Sequence, residues 1–390
     1  MSGTVLRTVC SAALAALVVA SPAVAAPVKP DPGPSGAATG KGPDSAKSIA
    51  ELLTELRTLY RQAEEATETY NGTAAELKKR TAEAKSLGSA HSAARLALAR
   101  SHDDAGQLAR EQYQGRSDFS AYVQLLLARD PARALDQGHV IQRVAADRAA
   151  TVKRLTGAAK HADDLATASR KVRDRQRVLA ARQKKQRDTV RARMRNVEKL
   201  LATLSAEKIA RLARLEQQAT EKAQGALVAS GALSSSRRPS EPGGEAVEYA
   251  IGQLGKPYVW GAEGPGSFDC SGLTSQSWAT AGRPIPRTSQ EQWKQLRKVP
   301  LNTLRPGDLV LYFPTATHVA LYIGDGLVVQ APRPGTRVKV SPVASNPLLG
   351  AVRPDPENAS LGAYKLPELP RGASDGSDTG YSTSSAPAGA

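Results

Sequence analysis

Residues 268–273 read Phe-Asp-Cys-Ser-Gly-Leu, and they decide how the C-terminal part of the chain folds. Asp269 is a favoured helix N-cap, and the residues that follow it predict a helix that ends at Gly282. Cys270 then lies in the first turn, where free backbone N–H groups and the helix dipole favour a thiolate. The stretch therefore predicts a cysteine nucleophile at the start of a helix.

A thiolate nucleophile needs a base, and residues 245–354 contain one histidine, His318. His318 begins a predicted strand, and a turn centred on Gly324 would place it opposite Gln330 in a hairpin. Both side chains would then share one face, so the Gln330 amide could orient the imidazole. From these residues alone, an inert cysteine with an unrelated histidine remains an equal alternative.

Three short apolar runs at 309–313, 319–323 and 327–329 predict strands, because they are rich in β-branched and aromatic residues. About 110 residues, 245–354, are enough for a small α+β core. The segment also holds all three tryptophans of the chain, which we interpret as core residues and not as sugar-stacking ones. They are Trp260, Trp278 and Trp293.

The N-terminal half is helical in pattern. Apolar residues recur at three- and four-residue spacing from 49 to 77 and again from 140 to 226, and no proline occurs between 44 and 130. The pattern breaks between Gly115 and Gly138. Two long helices joined by an elbow predict an antiparallel coiled-coil hairpin over residues 46–228.

The N-terminus has the pattern of a signal peptide, residues 1–25. Arg7 precedes an apolar run at 9–19, and an Ala-x-Ala signal places the cleavage after Ala25. The run is too short to span a membrane. We therefore expect a protein that is secreted, extracellular or associated with the cell wall, with Cys270 as its single thiol.

Two linkers and a tail complete the predicted organisation. Residues 26–45 and 229–244 are rich in small residues and proline, which is typical of linkers, and residues 355–390 predict a disordered tail. Two cysteines in the whole chain are too few for a disulfide framework or a zinc cluster. We expect no metal and no cofactor.

Composition points to an anionic partner. The 390 residues carry 53 Lys and Arg against 37 Asp and Glu, and an aromatic content of 4% excludes one large conventional globule. Residues 46–225 hold 35 of the basic and 22 of the acidic residues, so the basicity belongs mainly to the helical arm. A solvated helix face, binding to anionic wall polymers and docking to a cell-division protein all fit this charge. The export signal and the absence of interleaved aromatic residues argue against nucleic acid.

Five short motifs in the C-terminal segment occur together in a fixed order. They are Tyr-Val-Trp-Gly at 258–261, Phe-Asp-Cys-Ser-Gly-Leu at 268–273, Pro-Arg-Thr-Ser-Gln at 286–290, Leu-Arg-Pro-Gly-Asp-Leu at 304–309 and His-Val-Ala-Leu-Tyr-Ile-Gly at 318–324. With this order and spacing, residues 245–353 resemble the NlpC/P60 cell-wall endopeptidases. The resemblance implies a papain-like α+β fold, in which a nucleophile helix packs on a small antiparallel sheet. It also implies hydrolysis of peptidoglycan stem peptides, commonly between D-γ-glutamate and the diamino acid.

The resemblance assigns catalytic roles to four residues. Cys270 matches the family nucleophile and His318 matches its general base. Gln330 matches the third polar position, where histidine is commoner, and this departure affects the orientation of the base more than the class of reaction. Tyr258 matches a tyrosine that helps to hold the oxyanion.

Four further residues are candidates for substrate binding. Asp269 and Ser271 resemble family residues that meet the free amine end of the stem peptide, although helix capping explains Asp269 equally well. Arg287 and Ser289 are suited to substrate carboxylates, with a structural turn as the alternative.

The main hypothesis from the sequence is a secreted cysteine endopeptidase that acts on stem peptides. One rival is an amidase or acyl transferase with the same Cys–His pair, and another is a non-catalytic wall-binding scaffold. The arm resembles coiled-coil regions that precede peptidase domains in secreted actinobacterial homologues, some of which restrain the active site. We therefore expect the arm to restrain or to target the enzyme.

Overall fold

The computed structural model of the chain describes residues 47–114, 123, 131–233 and 237–375. The predicted signal peptide and the first linker lie outside the described residues. So does most of the predicted elbow between the two long helices.

The helical arm begins with α1, Ile49–Tyr113. Ser48 starts this helix through a capping box, because its side chain accepts the Glu51 N–H while the Glu51 carboxylate accepts the Ser48 N–H. The second long helix, α2, spans Pro131–Ala202.

The two long helices pack against each other in antiparallel directions. Side-chain hydrogen bonds join Gln62 to Arg193, Tyr70 to Gln183, and Thr81 to Gln176, so residue numbers fall on α2 as they rise on α1. The expected antiparallel helix pair is therefore present in the part of the arm that the structure describes.

The second half of the arm differs from the predicted continuous helix over 140–226. The chain leaves the helix at Thr203 and starts a third helix, α3, Ala206–Ala229, whose N-cap Ser205 accepts the Lys208 N–H. Leu212 of α3 is fully buried in a small apolar cluster with residues of α1 and α2. The physical reason for the break is Ser205, because its hydroxyl accepts a backbone N–H group and so starts a new helix instead of continuing the old one.

The C-terminal domain is an α+β structure. Its helices are α4 (Glu241–Ile251), α5 (Cys270–Thr280) and α6 (Ser289–Gln295). Its strands are β1 (Arg297–Val299), β2 (Leu309–Tyr312), β3 (His318–Gly324), β4 (Leu327–Gln330), β5 (Lys339–Pro342) and β6 (Leu348–Arg353). The strands form one antiparallel sheet in the order β1-β6-β2-β3-β4-β5. This confirms the predicted fold class, with the cysteine helix α5 packed on the sheet.

The main core lies between the sheet and helices α4 and α5. Trp278 of α5 is fully buried there and donates its indole N–H to the Gly307 carbonyl at 3.1 Å, while Trp260 and Trp293 pack against the edge of the same core. The tryptophans thus serve the core, and burial of these large apolar rings supplies much of the driving force for folding.

The hairpin between β3 and β4 has a different register from the predicted one. Leu321 pairs with Val329 and Tyr322 with Val328, and the chain reverses through a two-residue Asp325-Gly326 turn. Both turn residues have positive φ, 51° and 70°, the conformation that Asp-Gly favours in tight hairpins. The turn is therefore not centred on Gly324, and the pairing is shifted by two residues.

The tail from Asp355 onward was expected to be disordered, but the structure packs its first part on the domain. Leu366 and Leu369 lie against the main core, and the Val340 N–H bonds the Ala373 carbonyl at 2.8 Å. Asp355 itself is buried and binds Arg305 at 2.9 Å. The tail packs on the domain instead of being disordered because Leu366 and Leu369 provide apolar surface that can be buried, even though the segment is rich in proline. Residues 376–390 lie outside the described part of the chain.

We predict that Gly307→Ala destabilises the C-terminal domain. Gly307 has φ of 100°, and a Cβ there would meet the Gly243 Cα at 2.7 Å. Backbone strain and overpacking together should cost about 2–5 kcal/mol of unfolding free energy. Urea unfolding followed by tryptophan fluorescence measures this, because all three tryptophans lie in the domain. Gly266→Ala is the control, since its Cβ would meet nothing within 4 Å; equal stability of the two variants would contradict the prediction.

Candidate active site

Cys270 lies where the sequence predicted, at the first residue of α5. Asp269 caps this helix by accepting the Gly272 N–H at 2.6 Å. Gly272 is required because a Cβ there would lie 2.2 Å from the Ala262 carbonyl oxygen. The backbone N–H of Val319, the residue after His318 on β3, acts on the Cys270 thiol and lowers its pKa. The start of α5 and the start of β3 thus bring the cysteine and the histidine regions together.

His318 and Gln330 are in direct contact. The His318 Nε2 lies 2.7 Å from the Gln330 Oε1, and both side chains are buried. An amide oxygen only accepts hydrogen bonds, so Nε2 carries the proton and Nδ1 carries the basic lone pair. The contact is diagonal across the hairpin, because a register shift of two residues keeps both side chains on the same face.

Tyr258 is buried beside this group. Burial raises the pKa of its hydroxyl well above the usual value, and negative charge on a Cys270 thiolate and on Asp269 raises it further. The phenol therefore stays protonated. A protonated hydroxyl in this place can donate a hydrogen bond to charge that develops near the sulfur.

Asp269 binds Arg287 as well as capping the helix. The Arg287 guanidinium makes two bonds to the carboxylate, 2.8 Å to Oδ2 and 3.1 Å to Oδ1, and it donates to the Ser271 Oγ at 2.8 Å. The Gly261 N–H also donates to Oδ2 at 2.8 Å. This paired arrangement neutralises a carboxylate that is fully buried.

The fourth substrate-binding candidate, Ser289, is bound by a residue of the arm. The carboxylate of Glu68 on α1 accepts the Ser289 N–H at 2.6 Å, and the Ser289 Oγ lies 3.0 Å from the same oxygen. The other carboxylate oxygen of Glu68 accepts from the Ser271 Oγ at 2.8 Å and lies 4.0 Å from the Cys270 sulfur. The arm thus covers the cysteine, and Cys270 is only 3% exposed.

Asn71, one turn further along α1, makes a second contact with the site. Its side-chain NH₂ donates to the Asp269 Oδ2 at 2.9 Å. Next to it, Tyr70 packs edge-on against Trp260 with ring centroids 5.0 Å apart. Asn71, like Glu68, is almost completely buried.

The sequence did not indicate Glu68 or Asn71 as functional residues. The one available signal is a polar stripe on α1, Glu64, Thr67, Glu68 and Asn71, at three- and four-residue spacing. Such a stripe on a long charged helix is typical of a solvated face. All four of these side chains are in fact buried.

The covered site disfavours a thiolate, contrary to the expectation from the helix start. Burial raises the pKa of the Cys270 thiol well above its usual value, the charges of Glu68, Asp269 and Glu64 raise it further, and the Val319 N–H lowers it only in part. Burial also raises the pKa of Glu68 to about 7, helped by Asp269 and opposed by Arg287. In this arrangement the thiol is protonated.

A cavity of about 800 Å³ lies beside the covered site, between α1, α3 and loops of the C-terminal domain. Cys270 does not line it, so we locate the candidate chemistry at the cysteine and not in the cavity. Its wall includes Glu64, whose pKa burial raises to about 8.

Among the described residues, no three or more His, Cys, Asp and Glu side chains are grouped so as to hold a metal ion. No helix there is both long and apolar enough to cross a bilayer.

Comparison with known proteins places the likeness in the C-terminal domain. The model of the NlpC/P60 family matches residues 255–350. A probable endopeptidase of Corynebacterium glutamicum is 39% identical over 140 residues, which cover 36% of this chain and 66% of the relative. The peptidoglycan endopeptidase RipA of Mycobacterium tuberculosis is 38% identical over 125 residues, 27% of this chain and 26% of that protein.

A solved structure from M. tuberculosis, RipD, is also similar. It is described as a non-catalytic NlpC/p60 domain protein adapted to peptidoglycan binding. The two chains are 32% identical, the match covers 30% of this chain and 98% of RipD, and the TM-score is 0.27. The chain thus spans less than two thirds of the length of these curated relatives. The motif order, the match to the family model and the curated relatives agree that residues 255–350 form an NlpC/P60 domain.

Proposed function

We propose that the chain is a secreted peptidoglycan hydrolase that cleaves stem peptides with Cys270 as its nucleophile. The observation that carries the proposal is the contact between His318, at the start of β3, and Gln330 of β4, because the next residue on β3, Val319, acts through its N–H on the Cys270 thiol. The family relatives named as endopeptidases support the same reaction class. The signal-peptide pattern at residues 1–25 supports export to the cell wall.

The chemistry follows from the roles that these groups can take. The Nδ1 of His318 accepts the thiol proton, and the thiolate attacks the amide carbonyl. The imidazolium then protonates the leaving amine, and water hydrolyses the acyl-enzyme with the same histidine as base. The Tyr258 hydroxyl donates to the oxyanion. The bond proposed for cleavage joins D-γ-glutamate to the diamino acid, on the strength of the family resemblance.

Gln330 has a positioning role in this scheme. By accepting the Nε2–H, its amide keeps the basic lone pair on Nδ1. Because an amide is uncharged, it stabilises the imidazolium less than a carboxylate would.

An amidase or acyl transferase would use the same Cys–His pair, and product analysis separates these reactions from endopeptidase cleavage. A non-catalytic wall-binding scaffold is the alternative from another class. The complete set of Cys270, His318 and Gln330 favours catalysis, because a scaffold has no need of a nucleophile and an oriented base.

We further propose that the arm restrains the enzyme in the arrangement described above. Helix α1 buries Cys270, places a carboxylate 4.0 Å from its sulfur and raises the pKa of its thiol. A domain tethered by a linker of about 15 residues faces its partner at roughly millimolar effective concentration, so modest contacts suffice. The basic face of α2 remains available for anionic wall polymers or for a cell-division protein that would release the arm.

Cys270→Ala should abolish cleavage, because a methyl group has no nucleophilic electron pair. The test uses residues 240–375 with soluble stem peptides and mass spectrometry of the products. Thr280→Ala, at the exposed end of the same helix, is the control and should keep its activity. Unchanged turnover by a folded Cys270→Ala domain would rule out the cysteine mechanism.

Gln330→Ala should lower kcat by roughly ten- to a hundredfold, less than loss of the base itself, which is worth about 10²–10⁴. Gln330→His should restore most of the lost rate, because its ring can also accept the Nε2–H. Steady-state kinetics of the two variants and of His318→Ala provide the comparison. A loss from Gln330→Ala as large as that from His318→Ala would show that the contact does more than orient the ring.

Residues 240–375 alone should cleave a small soluble stem peptide faster than the mature full-length chain, by about tenfold or more if the arm contacts are worth over 1.4 kcal/mol. The range includes Leu366 and Leu369 because they complete the core. Circular dichroism controls for folding. A folded but slower C-terminal domain would contradict restraint and would mean that the arm assists catalysis.

A further inference from the structure

The contacts of Glu68 describe a binding site for a carboxylate. Two donors of the C-terminal domain face its two oxygens, the Ser289 N–H at 2.6 Å and the Ser271 hydroxyl at 2.8 Å. The Ser289 Oγ also lies 3.0 Å from Glu68, but its single proton is shared with the Ala316 carbonyl oxygen at 2.7 Å. The Ser271 hydroxyl in turn accepts from Arg287 at 2.8 Å, which directs its own proton toward Glu68. A carboxylate with two acceptor oxygens fits this set of donors better than a neutral group does.

The contact of Asn71 describes a second, different site. Its amide N–H reaches the Asp269 Oδ2 at 2.9 Å. The charge of Asp269 is already balanced by the two bonds from Arg287. The remaining acceptor position on Asp269 therefore suits an uncharged N–H group, and an ammonium group would compete with Arg287 for the same charge.

The two sites have the spacing of one amino-acid residue. The Asn71 Nδ2 lies 3.2 Å from the Glu68 Oε1, although the two side chains come from different turns of α1. In an α-amino acid residue, the amide nitrogen and the carboxylate oxygens are separated by only two carbon atoms and lie similarly close. A γ-linked glutamate carries both groups, together with the side-chain carbonyl at which it is cleaved.

We infer that α1 is a pseudosubstrate, in which the Glu68 carboxylate and the Asn71 amide occupy the places of the α-carboxylate and the amide N–H of a γ-linked acidic residue. This inference rests on the proposed function and extends it to the recognition of the substrate. The Glu68 oxygen 4.0 Å from the Cys270 sulfur marks the side on which the scissile carbonyl enters.

Two consequences distinguish a pseudosubstrate from a helix that merely blocks the cleft. The arm and the substrate compete for the same donors, so removal of either arm side chain strengthens substrate binding. The gain in substrate affinity also depends on the free carboxylate of the substrate. A carboxamide in its place would point an N–H group at the Ser289 and Ser271 donors, with which it cannot form a hydrogen bond.

The test uses the mature chain with Cys270→Ala, which cannot turn over, and calorimetric titration with an N-acylated stem tripeptide that carries a free α-carboxylate. Glu68→Ala and Asn71→Ala are each added to this chain. Glu65→Ala and Thr69→Ala are the controls, because both residues are exposed on the same turns of α1. An identical tripeptide with an α-carboxamide is the second ligand.

We expect Glu68→Ala to lower the Kd of the carboxylate peptide by about tenfold or more, as for loss of hydrogen bonds to a charged group. Asn71→Ala should lower it by a smaller factor of about three to ten, because one neutral donor is lost. The controls should change it less than twofold. The carboxamide peptide should gain little from Glu68→Ala.

Two results would overturn the inference. One is an unchanged Kd in both arm variants, and the other is an equal gain for the two peptides, which would leave only steric blocking.

A second experiment measures arm opening without any substrate. In chains that retain the cysteine, iodoacetamide alkylates Cys270, and the reaction is followed on the proteolytic fragment that contains this residue. If Glu68→Ala speeds this alkylation, the arm has opened. If the stem tripeptide still does not bind to the opened chain, both the mimicry and the proposed substrate are wrong. Carboxylate-dependent binding without turnover in chains that retain Cys270 would contradict the proposed reaction and support the mimicry.

Discussion

The buried carboxylate of Asp269 is the group on which the rest of the site depends. One oxygen caps helix α5, which begins at Cys270, through Gly272; the other binds the Gly261 N–H of the preceding loop, and both bind Arg287. Each partner comes from a different segment, so one charge orders the helix, the loop and the segment that leads to α6. A buried charge is tolerated only when it is paired and fully hydrogen-bonded, and Asp269 meets both conditions.

The arm uses the same electrostatic arrangement. Asn71 adds one more donor to Asp269, and Glu68 accepts from the Ser271 hydroxyl that Arg287 helps to polarise. These contacts exclude water from Cys270, and the burial raises the pKa of its thiol. The helix dipole at the start of α5 would favour the thiolate, but the loss of solvent and the nearby carboxylates outweigh it. The residues of this basic arm that bind the candidate site are thus an acidic one, Glu68, and an uncharged one, Asn71.

Several features could be predicted from the sequence because they depend on local chemistry. Asp269 followed by Cys270 predicted the start of α5, and the strand content of 309–329 predicted the centre of the sheet. The contact between His318 and Gln330 was predicted from the wrong register. It forms because a two-residue shift preserves the face on which a side chain lies. By contrast, the break at Ser205 was missed, because helical periodicity continues on both sides of it.

The sequence by itself determined the resemblance to the NlpC/P60 domain, the place of Cys270 at the start of a helix and the helical arm, since each depends on short-range pattern and residue type. The tertiary structure alone decided that Glu68 and Asn71 meet Ser289 and Asp269, about two hundred residues away along the chain. No periodicity encodes such a contact, because a polar stripe on a helix looks the same whether it faces water or a protein surface. The packing of the tail leucines on the core was likewise decided by the folded surface available to them. Because burial depends on the whole fold, Glu68 and Asn71 cover the cysteine, although their sequence pattern is that of a solvent-exposed helix face.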